Sequence, residues 1–216
     1  MIDNYDAIHK AICPSDPTVD RTVFYMFQVI QRPKDGHDEQ RIVKIEYGDF
    51  YNRKLMDRLK FYTETFRART YMKVNRCYQA PIALRTMSRM AEMMVHNQYN
   101  VRKCYDSVCG SFKPATDNLW VLDIDSSDYS DGTKLNFDNI YKAQLKTGRQ
   151  PIMGLINTPQ GYHLITRPFH TRPFHTKGFD FGKKLHKNGQ TVLFSWKGQE
   201  TKGLPQITLR GEEEEV

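Results

Sequence analysis

Two aspartates one residue apart, Asp123 and Asp125, close the apolar run NLWVLDID. In an extended strand successive side chains alternate between faces, so these two project to the same side. Carboxylates held that close repel unless a cation sits between them. Their hard oxygens suit Mg²⁺ or Mn²⁺, with water and a substrate phosphate completing the shell. The same spacing also arises as a plain acidic strand end or a helix cap. A second group of residues strengthens the metal and phosphate reading, the stretch Thr158-Pro159-Gln160-Gly161-Tyr162-His163. Glycine beside a turn lets the backbone approach a phosphate closely, a threonine hydroxyl donates to its oxygens, and a histidine neutralises developing charge.

For these groups to meet, the chain between them must leave the first strand, cross over and return beside it. The polar stretch SSDYSDGTKLN leads to an expected helix at 137 to 146, with Phe137, Ile140, Tyr141 and Leu145 on one side. PIMGLINT and GYHLIT then read as strands joined across Pro159 and Gln160, a connection of hairpin length. The order strand, helix, strand, strand brings His163 back toward the aspartates.

Upstream, TVFYMFQVIQ (22 to 31) and RIVKIEYG (41 to 48) are rich in β-branched and aromatic residues and read as strands. Leu55, Leu59, Tyr62 and Phe66 recur at helical spacing, ARTYMKVN (68 to 75) reads as a third strand, and Pro81 opens a second helix. The stripe of that helix expected to be buried is Leu84, Met87, Met90, Ala91 and Met94. Residues 97 to 117 are rich in turn formers, TVLFSW (191 to 196) reads as a last strand, and QITL (206 to 209) as a short edge. The fold class is therefore α/β in the broad sense, α+β: an N-terminal α/β unit at 1–113, a unit at 114–205 carrying both motifs, and an acidic tail at 206–216.

A hydrophobic strand ending in D-x-D, followed by a helix and an S/T-x-x-G-x-H hairpin, resembles the core of the archaeo-eukaryotic primase superfamily. LDID matches the first motif, and TPQGYH matches the second with Thr158 where serine is usual. The resemblance covers residues 118 to 167. It implies an RRM-like β-α-β-β catalytic unit abutting the N-terminal unit, with Asp123 and Asp125 holding Mg²⁺ or Mn²⁺. Thr158, Gly161 and His163 would contact a nucleoside triphosphate, and the activity would be primase-like or polymerase-like nucleotidyl transfer. Family members carry a third metal-binding acid on a later strand. Here no Asp or Glu lies in an apolar strand after His163, so Asp180 in Gly178-Phe179-Asp180-Phe181 is the leading candidate, ahead of Glu200 and Asp128. As a whole the chain is also similar to small proteins of phages and mobile elements.

Other segments bear on partners. Leu185-His186-Lys187-Asn188-Gly189-Gln190-Thr191 offers a cation, amides and a hydroxyl that would suit a triphosphate or a template strand, with Lys187 as the nucleotide-binding residue; it also reads as an ordinary Asn-Gly turn. Arg67, Arg69, Lys73 and Arg76 interleave with Tyr71 and Tyr78, a pattern that stacks bases and follows a phosphate backbone, or simply forms a solvated strand face. With 32 Lys plus Arg against 25 Asp plus Glu, the net charge of +7 favours polyanionic partners, nucleic acid above all. A hydrophobic fraction of 39% sets the chain apart from disordered tails. Its opening has neither signal peptide nor membrane span, so a cytoplasmic protein of a bacterial or phage-infected cell is expected. Cys13, Cys77, Cys104 and Cys109 lack paired zinc spacing and are expected as buried free thiols. Two other activities remain open: non-catalytic nucleic-acid binding, which the missing third acid favours, and metal-dependent nuclease action.

Overall fold

The structure, a computed structural model, describes residues 1–12, 22–98, 100–115, 118–125, 137–172 and 181–200. The chain opens with a short strand β1 (Ile2–Asp3) and a helix α1 (Tyr5–Ile12). The aromatic and β-branched run expected as a strand forms β2 (Val23–Gln31), followed by β3 (Arg41–Gly48). Helix α2 (Arg53–Thr65) starts where the Asn52 side chain accepts the Leu55 N–H at 3.1 Å, which satisfies one of its orphan amides. Leu55, Met56 and Leu59 are its buried stripe. Then come β4 (Arg69–Lys73), β5 (Cys77–Tyr78), α3 (Gln79–Val95) and α4 (Val101–Ser111).

The second half supplies β6 (Trp120–Asp125), α5 (Phe137–Leu145), β7 (Met153–Thr158) and β8 (Gly161–Thr166). It ends with a one-turn helix α6 (Phe181–Lys184), β9 (Leu185–His186) and β10 (Gln190–Ser195). The result is a mixed α+β chain with two antiparallel sheets. One runs β1-β10-β4-β2-β3, with β5 also pairing β2; the other runs β7-β8-β6-β9.

The sheets share a core. Phe27, Val29 and Met72 from the first sheet pack with Leu55, Met56 and Leu59 of α2 and with Val121, Ile156 and Ile165 of the second sheet. Buried Asn4 joins the sheets at their edges, its Nδ2 donating to Asn157 O on β7 and Val192 O on β10, both at 2.8 Å. The far face of the second sheet, with Trp120, Leu122, Ile124 and Leu164, is covered by Ile140 of α5 and by Phe169. The far face of the first sheet, Phe24 and Met26, packs on Ile82, Cys104, Val108 and Phe112 beneath α3 and α4.

Four expectations change. The helix α4 lies inside the stretch read as turn-forming; Asn100 is its cap, accepting the Lys103 N–H at 3.1 Å, so a residue counted toward a loop is a helix start. In α3 the buried positions are Ile82 and Thr86, with Met90 and Met93 partly covered, whereas Leu84, Met87 and Met94 are 61 to 68% exposed. This helix is apolar on two faces, and packing on α4 selects one of them. Strand β10, within 114–205, pairs with β4 and β1 in the first sheet, so the sheets do not divide the chain in sequence order. Finally, Arg69 and Lys73 are buried and not a solvated or nucleic-acid-facing surface. Arg69 makes a two-point contact with the Asp35 carboxylate at 2.6 and 2.7 Å. Lys73 Nζ donates to Cys109 O at 2.7 Å and to Phe112 O, taking up carbonyls at the end of α4, while burial pushes its pKa down. Cys77, Cys104 and Cys109 are buried free thiols as expected; Cys13 and the segment QITL lie outside the described residues.

Candidate functional site

Alternation along β6 decides which way its acids face. Trp120, Leu122 and Ile124 turn toward α5, whereas Val121 enters the core between the sheets. Asp123 and Asp125 continue the Val121 side past the end of that core. Their side chains are about a third exposed, at 36 and 35%.

The strand register brings the second motif alongside. His163 on β8 pairs directly with Asp123, and Gly161 with Asp125; on the next strand Ile156 pairs with His163, and Thr158 with Gly161. Two rows result across the sheet, Ile156-His163-Asp123 and Thr158-Gly161-Asp125. Gly161 must be glycine here, because an added Cβ would lie 2.0 Å from Ile124 O and 3.0 Å from Asp125 Cα. Beyond the hairpin, Gln199 Nε2 donates to Gly161 O and Glu200 N–H to Pro159 O, each at 2.9 Å, so the chain after β10 braces this turn.

His163 is held from both sheets. Its Nδ1 is 3.2 Å from the Thr191 hydroxyl on β10, and its Nε2 is 3.6 Å from Asp123 Oδ1. Burial lowers its pKa to about 3, nearby His186 and the Arg32 and Arg69 cations push the same way, and Asp125 opposes them. The ring is therefore neutral at physiological pH. The arrangement that serves both neighbours has Nδ1 accepting the Thr191 hydroxyl and Nε2–H directed toward Asp123.

The second acid has a cation on it. Lys184 Nζ lies 2.6 Å from Asp125 Oδ2. The register explains its arrival: β9 pairs antiparallel with β6, His186 opposite Val121 and Leu185 opposite Leu122, so Lys184 follows level with Asp123 and on its face. The same register carries Lys187 the other way, to the far end of β6 and the opposite face, where its ammonium lies 5.3 Å from the Trp120 ring centroid. Lys187 thus does not join the acids; Lys184, which sequence reasoning missed, does. Asp180 and Asp128 lie outside the described residues.

From the first sheet, Arg32 Nη1 donates to the Tyr71 hydroxyl at 2.7 Å with its guanidinium near that ring. Arg32 and buried Arg69 lie close enough to His163 to lower its pKa. Thr191 supplies the hydroxyl of the 185 to 191 segment, here directed to His163, whereas Arg32 stands in no motif that spacing alone could flag.

Comparison with known proteins finds no matching family model, no matching curated protein and no matching solved structure.

The donor chemistry then has to be judged from the residues themselves. Two half-open carboxylates are a sufficient protein contribution for Mg²⁺ or Mn²⁺ when substrate phosphate and water fill the remaining positions. The described residues contain no group of three His, Cys, Asp or Glu side chains placed to hold a metal by themselves. By donor type the pair fits an ion shared with a phosphate, although Lys184 occupies Asp125 here. No helix among the described residues is long and apolar enough to cross a membrane.

Proposed function

We propose that the chain is a primase-like nucleotidyltransferase, binding a nucleoside triphosphate and nucleic acid at the end of β6 that carries Asp123 and Asp125. The observation that carries this reading is the direct pairing of Asp123 with His163, two residues from the Asp125 and Gly161 pair on the same face. The β7-β8-β6-β9 order supports it, since in chain order the strands lie second, third, first, fourth, the arrangement of an RRM-like sheet. Asp123 and Asp125 would hold the divalent ion, whose role is to neutralise charge on the reacting phosphate. Thr158 and Gly161, paired beside the acids, would contact the phosphates, and His163 would donate its Nε2–H to a phosphate oxygen. Arg32, close enough to His163 to lower its pKa, would offset remaining charge. Lys184, which holds Asp125 here, would be free to neutralise the phosphates once Asp125 served the ion.

A second reading, a non-catalytic nucleic-acid-binding protein, is favoured by the Lys184–Asp125 contact, which already neutralises one acid. One experiment separates the two. Titration with ATP or dATP should show a Mn²⁺-dependent component of binding that Asp123→Ala abolishes, and a primed template should be extended. Nucleic-acid binding that needs no metal and survives Asp123→Ala, with no extension, selects the non-catalytic reading; cleavage of the template selects a nuclease.

A further inference from the structure

At the other end of the second sheet lies a cavity of about 450 Å³, within the usual ~300–1,000 Å³ of small-ligand sites. Its wall includes Leu119, six positions before Asp125, a separation of roughly 20 Å along extended chain. It is distinct from the acid and histidine site.

Three of the described lining residues, Lys10 of α1, Arg76 after β4 and Arg167 after β8, are cationic, and none is a carboxylate. Apart from Gln150, the rest of the described wall is apolar or aromatic, notably Val74, Ile152 and Tyr78. Positive charge converging over an apolar floor beside a tyrosine ring suits a ligand that is anionic at one end and flat at the other.

The walls are built to hold their shape. Asn75, 1% exposed, grips Leu119 twice: its Oδ1 accepts the Leu119 N–H at 2.7 Å and its Nδ2 donates to Leu119 O at 3.0 Å. Fully buried Gln144 gathers the other side, its Oε1 accepting the N–H of Ile152 at 3.2 Å and of Arg167 at 2.8 Å. Arg167 Nε donates to Gln150 O at 2.9 Å, which sets the direction of its guanidinium. A cavity whose rim is already ordered avoids much of the entropic cost of closing around a ligand.

We infer that this cavity is a second binding site, for a nucleotide unit whose phosphate sits among Lys10, Arg76 and Arg167 and whose base lies along Tyr78. The unit is either a free nucleotide or one residue of a single strand. Binding here needs no divalent ion, so the site stands or falls separately from the reading of Asp123 and Asp125.

The test is run on the full chain in EDTA, with AMP, with a fluorescein-labelled oligo(dT), and with inorganic phosphate as probes. Binding of AMP or oligo(dT), weakened by about tenfold in Arg76→Gln and in Arg167→Ala and unchanged in Asp123→Ala, supports the site. Tighter oligo(dT) binding identifies a strand, tighter AMP binding a free nucleotide. Variants are compared only where their thermal melts match wild type, and Lys10→Ala replaces either one that does not. The proposal is overturned if neither AMP nor oligo(dT) binds, if the matched variants bind as wild type does, or if inorganic phosphate binds as tightly as both.

Discussion

His163 stands directly across from Asp123 on the neighbouring strand, its Nε2 3.6 Å from the carboxylate and its Nδ1 3.2 Å from the Thr191 hydroxyl of the other sheet. One imidazole therefore links the two sheets and does so in its neutral form. The consequences for stability and for metal binding can be measured separately.

The first consequence is a pH dependence. Burial lowers the His163 pKa from 6.5 to about 3, so between those values the unfolded chain takes up a proton that the folded chain does not. Folding stability must fall as the solution is acidified through that window. We expect His163→Gln to flatten this part of the stability curve, measured as urea midpoints from pH 7 to pH 4. A slope identical to wild type would show that the imidazole titrates normally.

Lys184 competes with a metal for Asp125. Lys184→Ala should tighten Mn²⁺ binding several-fold in the absence of nucleotide, by removing a charge within about 4 Å of the site. Titration of free Mn²⁺ by electron paramagnetic resonance reads this directly. Unchanged or weaker binding would mean that the ion does not use Asp125.

Gly161→Ala introduces a Cβ 2.0 Å from Ile124 O, a backbone atom with no rotamer by which to escape. A loss of about 1–3 kcal/mol is expected from this overpacking, together with weaker Mn²⁺ binding as the end of β6 shifts. Chemical denaturation and the same Mn²⁺ titration check both parts.

The Arg69–Asp35 pair is buried on both sides, with side-chain exposures of 8 and 0%. Asp35→Ala leaves a guanidinium without its carboxylate and should cost about 3–5 kcal/mol, whereas Asp35→Ala with Arg69→Met should recover much of that loss. Denaturant midpoints of the two single variants and the double variant decide the matter through a mutant cycle.

Helix α3 offers a test of the packing. Met87→Gln, on its exposed side, should change stability by no more than about 0.5 kcal/mol, while Ile82→Ala on the covered side should cost about 2–5 kcal/mol. The reverse ranking would turn the helix over.

Much of the fold was legible because it rests on local preferences. Strands β2, β3, β4, β6, β7 and β8 announce themselves through β-branched and aromatic runs, and α2 and α5 through apolar residues at helical spacing. The pairing of β7 with β8 follows from a two-residue connection, and the shared face of Asp123 and Asp125 from the strand period. Local signals failed where composition was ambiguous or the element short: α4 starts at an asparagine that also suits a loop, and α1, with Tyr5, Ile8 and Ile12 at helical spacing, spans only eight residues.

The sequence by itself determined which residues share a strand face and which neighbouring segments fold back on each other, since both depend on a few adjacent dihedrals and on short connections. Only the tertiary structure decided that β10 joins the first sheet and sets Thr191 against His163, that β9 brings Lys184 to Asp125 and sends Lys187 away, and that α3 buries Ile82 and not Leu84. Each of these is a choice between partners distant in sequence, made by the register of paired strands and by which apolar surface finds another to cover it. No local preference distinguishes the alternatives until the whole chain has packed.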